Sequence, residues 1–148
     1  KSTLPATLTH QLYLLKPQSD GSFETKLVGM SDEVHTDALY LDTYTLTTTQ
    51  TLHYMVIDAP LPAGAQVESG TWGIKIKDID ELPRANFQEM TGGYAVPMGQ
   101  VNGTTTLQHL LRFSQRCQYV LPAARAYNMY RPDAQVLEQP ARNRLIVE

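Results

Sequence analysis

The stretch Leu39-Tyr40-Leu41-Asp42-Thr43-Tyr44-Thr45-Leu46-Thr47-Thr48-Thr49, followed after Gln50 and Thr51 by Leu52-His53-Tyr54-Met55-Val56-Ile57-Asp58, decides the fold. In its first run Leu39, Leu41, Thr43 and Thr45 alternate with Tyr40, Asp42, Tyr44 and Leu46, the period of two that sends neighbours to opposite faces of a sheet. β-Branched and aromatic side chains dominate, and these fit a pleated surface better than a helix. The second run is nearly continuous in apolar or aromatic residues, as a strand buried on both faces requires, and predicts the central strand. It ends at Ala59-Pro60-Leu61-Pro62-Ala63-Gly64 because proline supplies no donor to a ladder.

The neighbouring segments extend the pattern. Thr7–Lys16 and Phe23–Val28 read as strands, joined across Ser19-Asp20-Gly21-Ser22 as a hairpin. Tyr94-Ala95-Val96 and Thr104-Thr105-Thr106-Leu107 flank Asn102-Gly103, which predicts a second hairpin with a primed turn. Trp72-Gly73-Ile74-Lys75-Ile76-Lys77-Asp78 alternates apolar with cationic, one face buried and one wet. Leu107–Arg116 fits a helix through Leu107, Leu110 and Leu111 and a strand through Leu107, His109, Leu111 and Phe113; the threonines and Asn-Gly turn before it decide for strand. After Pro122, Ala123–Tyr130 reads as one helical turn or an irregular loop stopped by Arg131-Pro132-Asp133, and Arg144–Glu148 as a last short strand closing the sheet. At least seven short strands and little helix predict an all-β fold, an antiparallel two-sheet β-sandwich with Greek-key connections.

At 148 residues, 42% apolar and 18% charged, the chain has the size and composition of one globular domain, not of a large multidomain enzyme. Twelve Lys plus Arg against 15 Asp plus Glu give a net charge of -3, and the cations are scattered, so no stripe could track a phosphate backbone and no nucleic-acid partner is expected. No apolar run reaches the roughly 18 residues of a membrane-spanning segment. The chain opens Lys1-Ser2-Thr3 with neither an initiator Met nor a signal peptide's apolar core, so residues 1–148 are expected to be a single domain cut from a longer protein.

Little in the sequence carries chemistry. The single cysteine, Cys117, excludes an internal disulfide framework and a Cys-rich zinc site. Cys117 with His10, His35, His53 or His109 would supply a nucleophile and a base, but no Gly-x-Ser-x-Gly elbow or other motif supports it, and the thiol is expected to be buried and slow to react. The histidines lack ligand spacing; no catalytic residue, metal or cofactor is expected. Asp78-Ile79-Asp80-Glu81 lacks the glycine and distal glutamate of a calcium loop and reads as a solvated strand end. Asn102-Gly103-Thr104 matches a glycosylation sequon, yet the hairpin turn explains it. Val136-Leu137-Glu138-Gln139 is one substitution from the Cys-x-Glu-Gln signature of an internal thioester; with Val136 where the cysteine must stand, the similarity carries no functional weight.

Two segments together resemble a known family. Tyr54-Met55-Val56-Ile57-Asp58-Ala59-Pro60-Leu61-Pro62-Ala63-Gly64 followed by Asp80-Glu81-Leu82-Pro83-Arg84-Ala85, and Leu110-Leu111-Arg112, Tyr119-Val120-Leu121-Pro122-Ala123-Ala124 and Met129-Tyr130-Arg131-Pro132-Asp133, are similar in order and spacing to the C-terminal macroglobulin-like domain of bacterial alpha-2-macroglobulins. The likeness runs from about Leu39 to Asp133. Thr91-Gly92-Gly93 stands where the family usually has an Asp-Asp-Arg run, Arg116-Cys117 where a Pro-Gly turn is usual, and Ala123 where a second proline is common. These departures point to a divergent branch, with the branch lacking the thioester as the candidate.

The resemblance implies a macroglobulin-like sandwich of immunoglobulin- and fibronectin-like architecture and a domain with no catalytic role. It implies a Gram-negative parent, anchored in or facing the periplasm, that acts as a protease trap or endopeptidase inhibitor. The implied partners are the neighbouring macroglobulin-like and helical thioester-type domains of the same chain, and proteases through the parent. Tyr127, Met129, Tyr130 and Arg131 are residue types enriched at interface centres and are the candidate interdomain docking surface; the alternative is that Tyr127 and Tyr130 close the end of the sandwich. The second functional reading is a sandwich module of a bacterial adhesin or surface protein, which shares the strand-end prolines and glycines.

Overall fold

The computed structural model describes residues 4–68, 74–77, 79, 87–90, 92–142 and 144–148. Its strands are β1 (Ala6–Pro17), β2 (Phe23–Leu27), β3 (Leu39–Pro60), β4 (Ala65–Glu68), β5 (Gln88–Met90), β6 (Gly93–Phe113), β7 (Cys117–Val120), β8 (Arg125–Asn128), β9 (Arg131–Leu137) and β10 (Arg144–Val147); no helix occurs among the described residues. All strand pairings are antiparallel.

Two long strands organise the rest. β3 and β6 pair from Tyr40↔Leu111 to Pro60↔Gly93, with register shifts between Thr48 and Leu52, Leu52 and Met55, and Met55 and Val56. At that break Tyr54, Gly99 and Gly103 take left-handed backbone conformations, φ 58°, 67° and 72°. Bulges of this kind bend a strand pair and raise its twist, so one pair serves two sheets. The first half of β3 lies between β1 and the second half of β6, flanked by β2 and β4. Its second half lies between the first half of β6 and β8, flanked by β5 and β9. β7 and β10 form a separate ribbon, attached through the Val34 N–H to the Ile146 carbonyl at 2.9 Å and the Glu148 N–H to the Val34 carbonyl at 2.8 Å.

The core between the sheets follows the period of two. Tyr40, Tyr44 and Leu46 face inward with Leu8, Leu12, Ile57, Ala59, Tyr94, Val96, Leu111, Phe113 and Ala126. Leu39 and Leu41 face the other way and pack with Leu15, Leu110 and Ile76. Ile76 is placed by the Phe23 N–H to the Lys75 carbonyl and the Lys77 N–H to the Phe23 carbonyl, both 2.8 Å. Between Lys75 and Lys77, both exposed, it keeps the expected alternation; Trp72, Gly73 and Asp78, and the Asp80–Ala85 motif, lie outside the described residues.

Several expectations are corrected. The expected hairpin at Asn102-Gly103 does not exist: Tyr94–Val96 and Thr104–Leu107 belong to the single strand β6, and Gly103 supplies its positive φ to the bulge opposite Thr48. Leu39–Thr49 and Leu52–Asp58 likewise run on as one strand, in which His53 and Tyr54 are exposed at the bend. Ala123–Tyr130 forms neither a helical turn nor a loop; Arg125–Asn128 is β8, paired to β3 at Met55–Asp58, and turns straight into β9. Arg144–Val147 closes no main sheet but pairs with β7, sending Leu145 and Val147 into the core. The β1–β2 hairpin stands as read, its turn tied by the Asp20 carboxylate accepting from the Ser22 N–H at 3.0 Å.

Where β6 begins, Gly93 lies against Pro60, and a Cβ there would run into the Ala59 carbonyl. Backbone on both sides leaves nothing flexible to yield. Gly93→Ala is expected to lower stability by about 1–3 kcal/mol, the usual cost of overpacking. A urea midpoint equal to that of the parent chain would show that the two strands can move apart freely.

Candidate functional site

The four residues of the candidate docking surface sit at the β8–β9 hairpin. Asn128 ends β8, and its Oδ1 accepts the N–H groups of Tyr130 (2.9 Å) and Arg131 (3.0 Å), the local bonding that makes asparagine a turn residue. Asn128 Nδ2 donates to the His53 carbonyl at 3.0 Å, and the Met129 N–H donates to the Tyr54 carbonyl at 2.9 Å. The turn is therefore tied to the bend of β3. Met129, Tyr130 and Arg131 are exposed there, Tyr130 at 71%. Tyr54, 55% exposed, meets the Tyr130 ring edge to face at 4.9 Å. Tyr127 is half-buried on β8 instead, under the Arg125 guanidinium at 4.2 Å from its ring centroid, and Arg125 donates to Asp58 at 3.3 Å.

Sequence reading placed Met129, Tyr130 and Arg131 together but missed Tyr54 and His53, which lie some 75 residues away and reach the tip only because β3 bends. A left-handed tyrosine costs roughly 1–2 kcal/mol. Tyr54 keeps that strain and leaves its ring in water, and strained residues of this kind concentrate at functional sites.

The second unusual feature is inside. Asp42, 1% exposed on the inward face of β3, is reached by His10 of β1, which donates from Nε2 to Asp42 Oδ1. Tyr94 of β6 donates to Asp42 Oδ2 at 2.8 Å. The other ring nitrogen of His10 donates to Glu138 Oε2 at 3.1 Å, and Glu138 Oε1 accepts the Ala124 N–H at 2.8 Å. Tyr44 stacks on the His10 ring, centroids 4.1 Å apart and planes within 7°. Burial works against charge on His10, but the Asp42 and Glu138 carboxylates outweigh it and push its pKa up to about 9. His109, opposite Asp42 on β6, goes the other way: burial pushes its pKa down. Neither of its ring nitrogens has a hydrogen-bond partner among the described residues.

This cluster has a histidine between two carboxylates, yet it is no proton-transfer machine. Both His10 nitrogens are occupied by carboxylates, so no lone pair remains to deprotonate a nucleophile. Its work is structural: removing one partner of a buried charge pair costs about 3–5 kcal/mol because the other is stranded. Sequence reading set Glu138 aside as half of a chance thioester likeness and weighed His10 only as a base for Cys117. The available signal was a carboxylate, Asp42, in register with Tyr40, Tyr44 and Leu46 on a face otherwise apolar.

The expectation of a buried thiol is also corrected. Cys117 is exposed at the start of β7, and its Sγ lies 3.6 Å from the Gln118 carbonyl. It lines an open cleft with His35, Arg116 and Glu148, while His10 is committed to Asp42 and Glu138. Among the described residues no cluster of His, Cys, Asp and Glu is placed to hold a metal ion, and no helix is long and apolar enough to cross a membrane.

The antiparallel sandwich formed by the described residues, with two bent strands shared between its sheets, has the character of a macroglobulin-like domain. The chain belongs to the bacterial alpha-2-macroglobulin MG10 domain family, whose family model matches residues 7–133. It is 31% identical to the alpha-2-macroglobulin of Ralstonia nicotianae over 93% of this chain and 11% of that protein, so it spans about a tenth of its relative's length. Solved structures of bacterial alpha-2-macroglobulins share the fold. Native Escherichia coli alpha-2-macroglobulin from domain MG7 to the C-terminus matches with a TM-score of 0.73 at 16% identity, over 97% of this chain and 23% of that one. Escherichia coli alpha-2-macroglobulin activated by porcine elastase matches with a TM-score of 0.71 at 18% identity, over 97% and 13%.

Two outcomes are expected. Tyr54→Gly should be more stable than Tyr54→Ala by about 1 kcal/mol, since both lose the ring and only glycine enters the left-handed region freely; equal melting temperatures would mean that the backbone relaxes there. Cys117 of the native protein should react with a thiol reagent as fast as in the unfolded chain, and labelling only after denaturation would contradict its exposed position.

Proposed function

We propose that this domain is a non-catalytic packing module of a longer alpha-2-macroglobulin-like protease trap, the last macroglobulin-like domain of its chain, working in the periplasm of a Gram-negative bacterium. Its task is to dock on neighbouring macroglobulin-like and helical domains of the same chain and help hold the uncleaved state. One observation carries this reading: the hairpin tip of Met129, Tyr130 and Arg131, with Tyr54 beside it, is aromatic, exposed and held rigid. Met129 N–H, Asn128 Nδ2 and Asn128 Oδ1 all fix it to the bend or to itself. Rigid aromatic anchors lose little entropy on docking, which is why tyrosine and arginine dominate interface hot spots. Activation of Escherichia coli alpha-2-macroglobulin by porcine elastase supports a parent protein that responds to a protease.

The reading separates packing from docking. In the full-length protein, Tyr130→Ala should leave the melting temperature within about 1 °C, because the ring contributes little buried area, and should raise hydrogen exchange at the tip amides about tenfold or more before cleavage, as expected on loss of a hot-spot anchor. Limited proteolysis of the parent protein should change exchange at the same amides. Tip amides that exchange equally in the parent, the variant and the cleaved protein would remove the docking role.

A further inference from the structure

The His10 cluster joins segments that the backbone ladder holds only loosely. β9 is paired on one side to β8; on the other, β9 and the residues after it meet β1 and the residues before it through the Leu4 N–H to the Gln135 carbonyl at 3.3 Å, the Gln139 N–H to the Leu8 carbonyl at 3.0 Å and one bridge between Leu8 and Glu138. β3 and β6, by contrast, are paired along their length. The seam between β1 and β9 is where the sandwich is closed by few bonds, and Glu138 reaches His10 across it.

Hydrogen-bond chemistry fixes the proton count. Ionised carboxylates only accept, and both His10 nitrogens face carboxylate oxygens, Asp42 Oδ1 and Glu138 Oε2. The cluster therefore holds one proton more than two carboxylates and a neutral imidazole would. The groups facing it are Asp42 and Tyr44 of β3, Tyr94 and His109 of β6, and Glu138 itself; Arg142 lies beyond, donating to the carbonyls of Val28 (2.8 Å) and Gly29 (3.1 Å). Burial and the Asp42 charge hold the Tyr44 and Tyr94 hydroxyls protonated well into alkali, so neither replaces the proton when it leaves.

We propose that Asp42, His10 and Glu138 form a proton-dependent latch that fastens β9 and residues 138–142 across the seam to β1, and that losing the shared proton opens the seam while the β3–β6 spine stays folded. Without the proton, a ring lone pair faces a carboxylate oxygen. Asp42 cannot withdraw, being in mid-strand between β1 and β6 with Tyr94 bonded to it; Glu138, at the seam, can. The sign follows from the histidine. Its pKa rises from 6.5 in the unfolded chain to about 9 in the folded one, so the latch is at full strength below pH 6.5 and is lost as the pH climbs through about 9. That difference corresponds to about 300-fold in the latch equilibrium. The latch belongs to the fold and does not depend on the tip docking to anything.

Hydrogen exchange by mass spectrometry, corrected for intrinsic base catalysis and run from pH 7 to 10 on the 148-residue chain and on the full-length protein, tests this. Protection of the seam amides of Ala124, Glu138 and Gln139 should fall about 70-fold between pH 7 and pH 10, about tenfold of it above pH 8, while protection of Leu41 and Leu110 in the spine holds. His10→Gln and Glu138→Gln should each give a seam that is weakly protected and indifferent to pH. If His10→Gln does not fold, the parent profile and Glu138→Gln decide. Seam protection that stays flat to pH 10, seam and spine opening together, or a His10 ring that titrates near 6.5 would each overturn the latch.

Discussion

Everything in this domain is hung on one constraint: β3 and β6 stay paired while they turn a corner. The pair turns the corner through register shifts between Thr48 and Val56, and there Tyr54, Gly99 and Gly103 take left-handed conformations that most side chains avoid. Because the pair is continuous, the two sheets cannot slide independently; the inward register of Tyr40 and Tyr44 in one sheet is linked through the bend to that of Ile57 and Ala59 in the other. The flanking strands then add by ordinary pairing, β1 and β4 on one side of the corner, β5 and β8 on the other.

Placing Asp42 on the inward face makes that register specific. An apolar face tolerates some slippage, since one leucine replaces another, but a buried carboxylate is satisfied only where His10 and Tyr94 arrive opposite it. Shifting β1 by one residue would turn His10 outward and leave Asp42 charged and alone. The cost of burying ions is thus exchanged for uniqueness of pairing among β1, β3 and β6, and Glu138 extends the same demand to the chain after β9.

Legibility in the sequence followed the range of the forces. Alternation in Leu39–Leu46, the β1–β2 turn and the all-β class depend on neighbours a few residues apart, and each was readable. The false hairpin at Asn102-Gly103 shows the limit: a primed turn and a bulge at a bend both ask for a small residue with positive φ, and what separates them is the partner strand, whose Thr48 lies far away in sequence. β8 was missed for a similar reason, because Arg125–Asn128 has little strand character of its own and is ordered by the exposed edge of β3. At the tip, Met129, Tyr130 and Arg131 could be read as a cluster, whereas Tyr54 could not be assigned to them without the corner. Cys117 was misjudged because burial is set by the ribbon of β7 and β10, not by the residues beside it.

The corner also explains why the exposed aromatics are where they are. A bend in a paired ladder leaves backbone carbonyls without ladder partners, and here those of His53 and Tyr54 are taken by Asn128 and Met129 of the hairpin turn. Satisfying the corner therefore requires the β8–β9 turn to sit on it, and the side chains that follow, Met129 and Tyr130, are carried outward to meet Tyr54. A surface made in this way is tied to the spine, since moving it would break the bonds to the His53 and Tyr54 carbonyls. The same element that forces two sheets to share one pair of strands thus presents a fixed aromatic edge to whatever lies beside the domain.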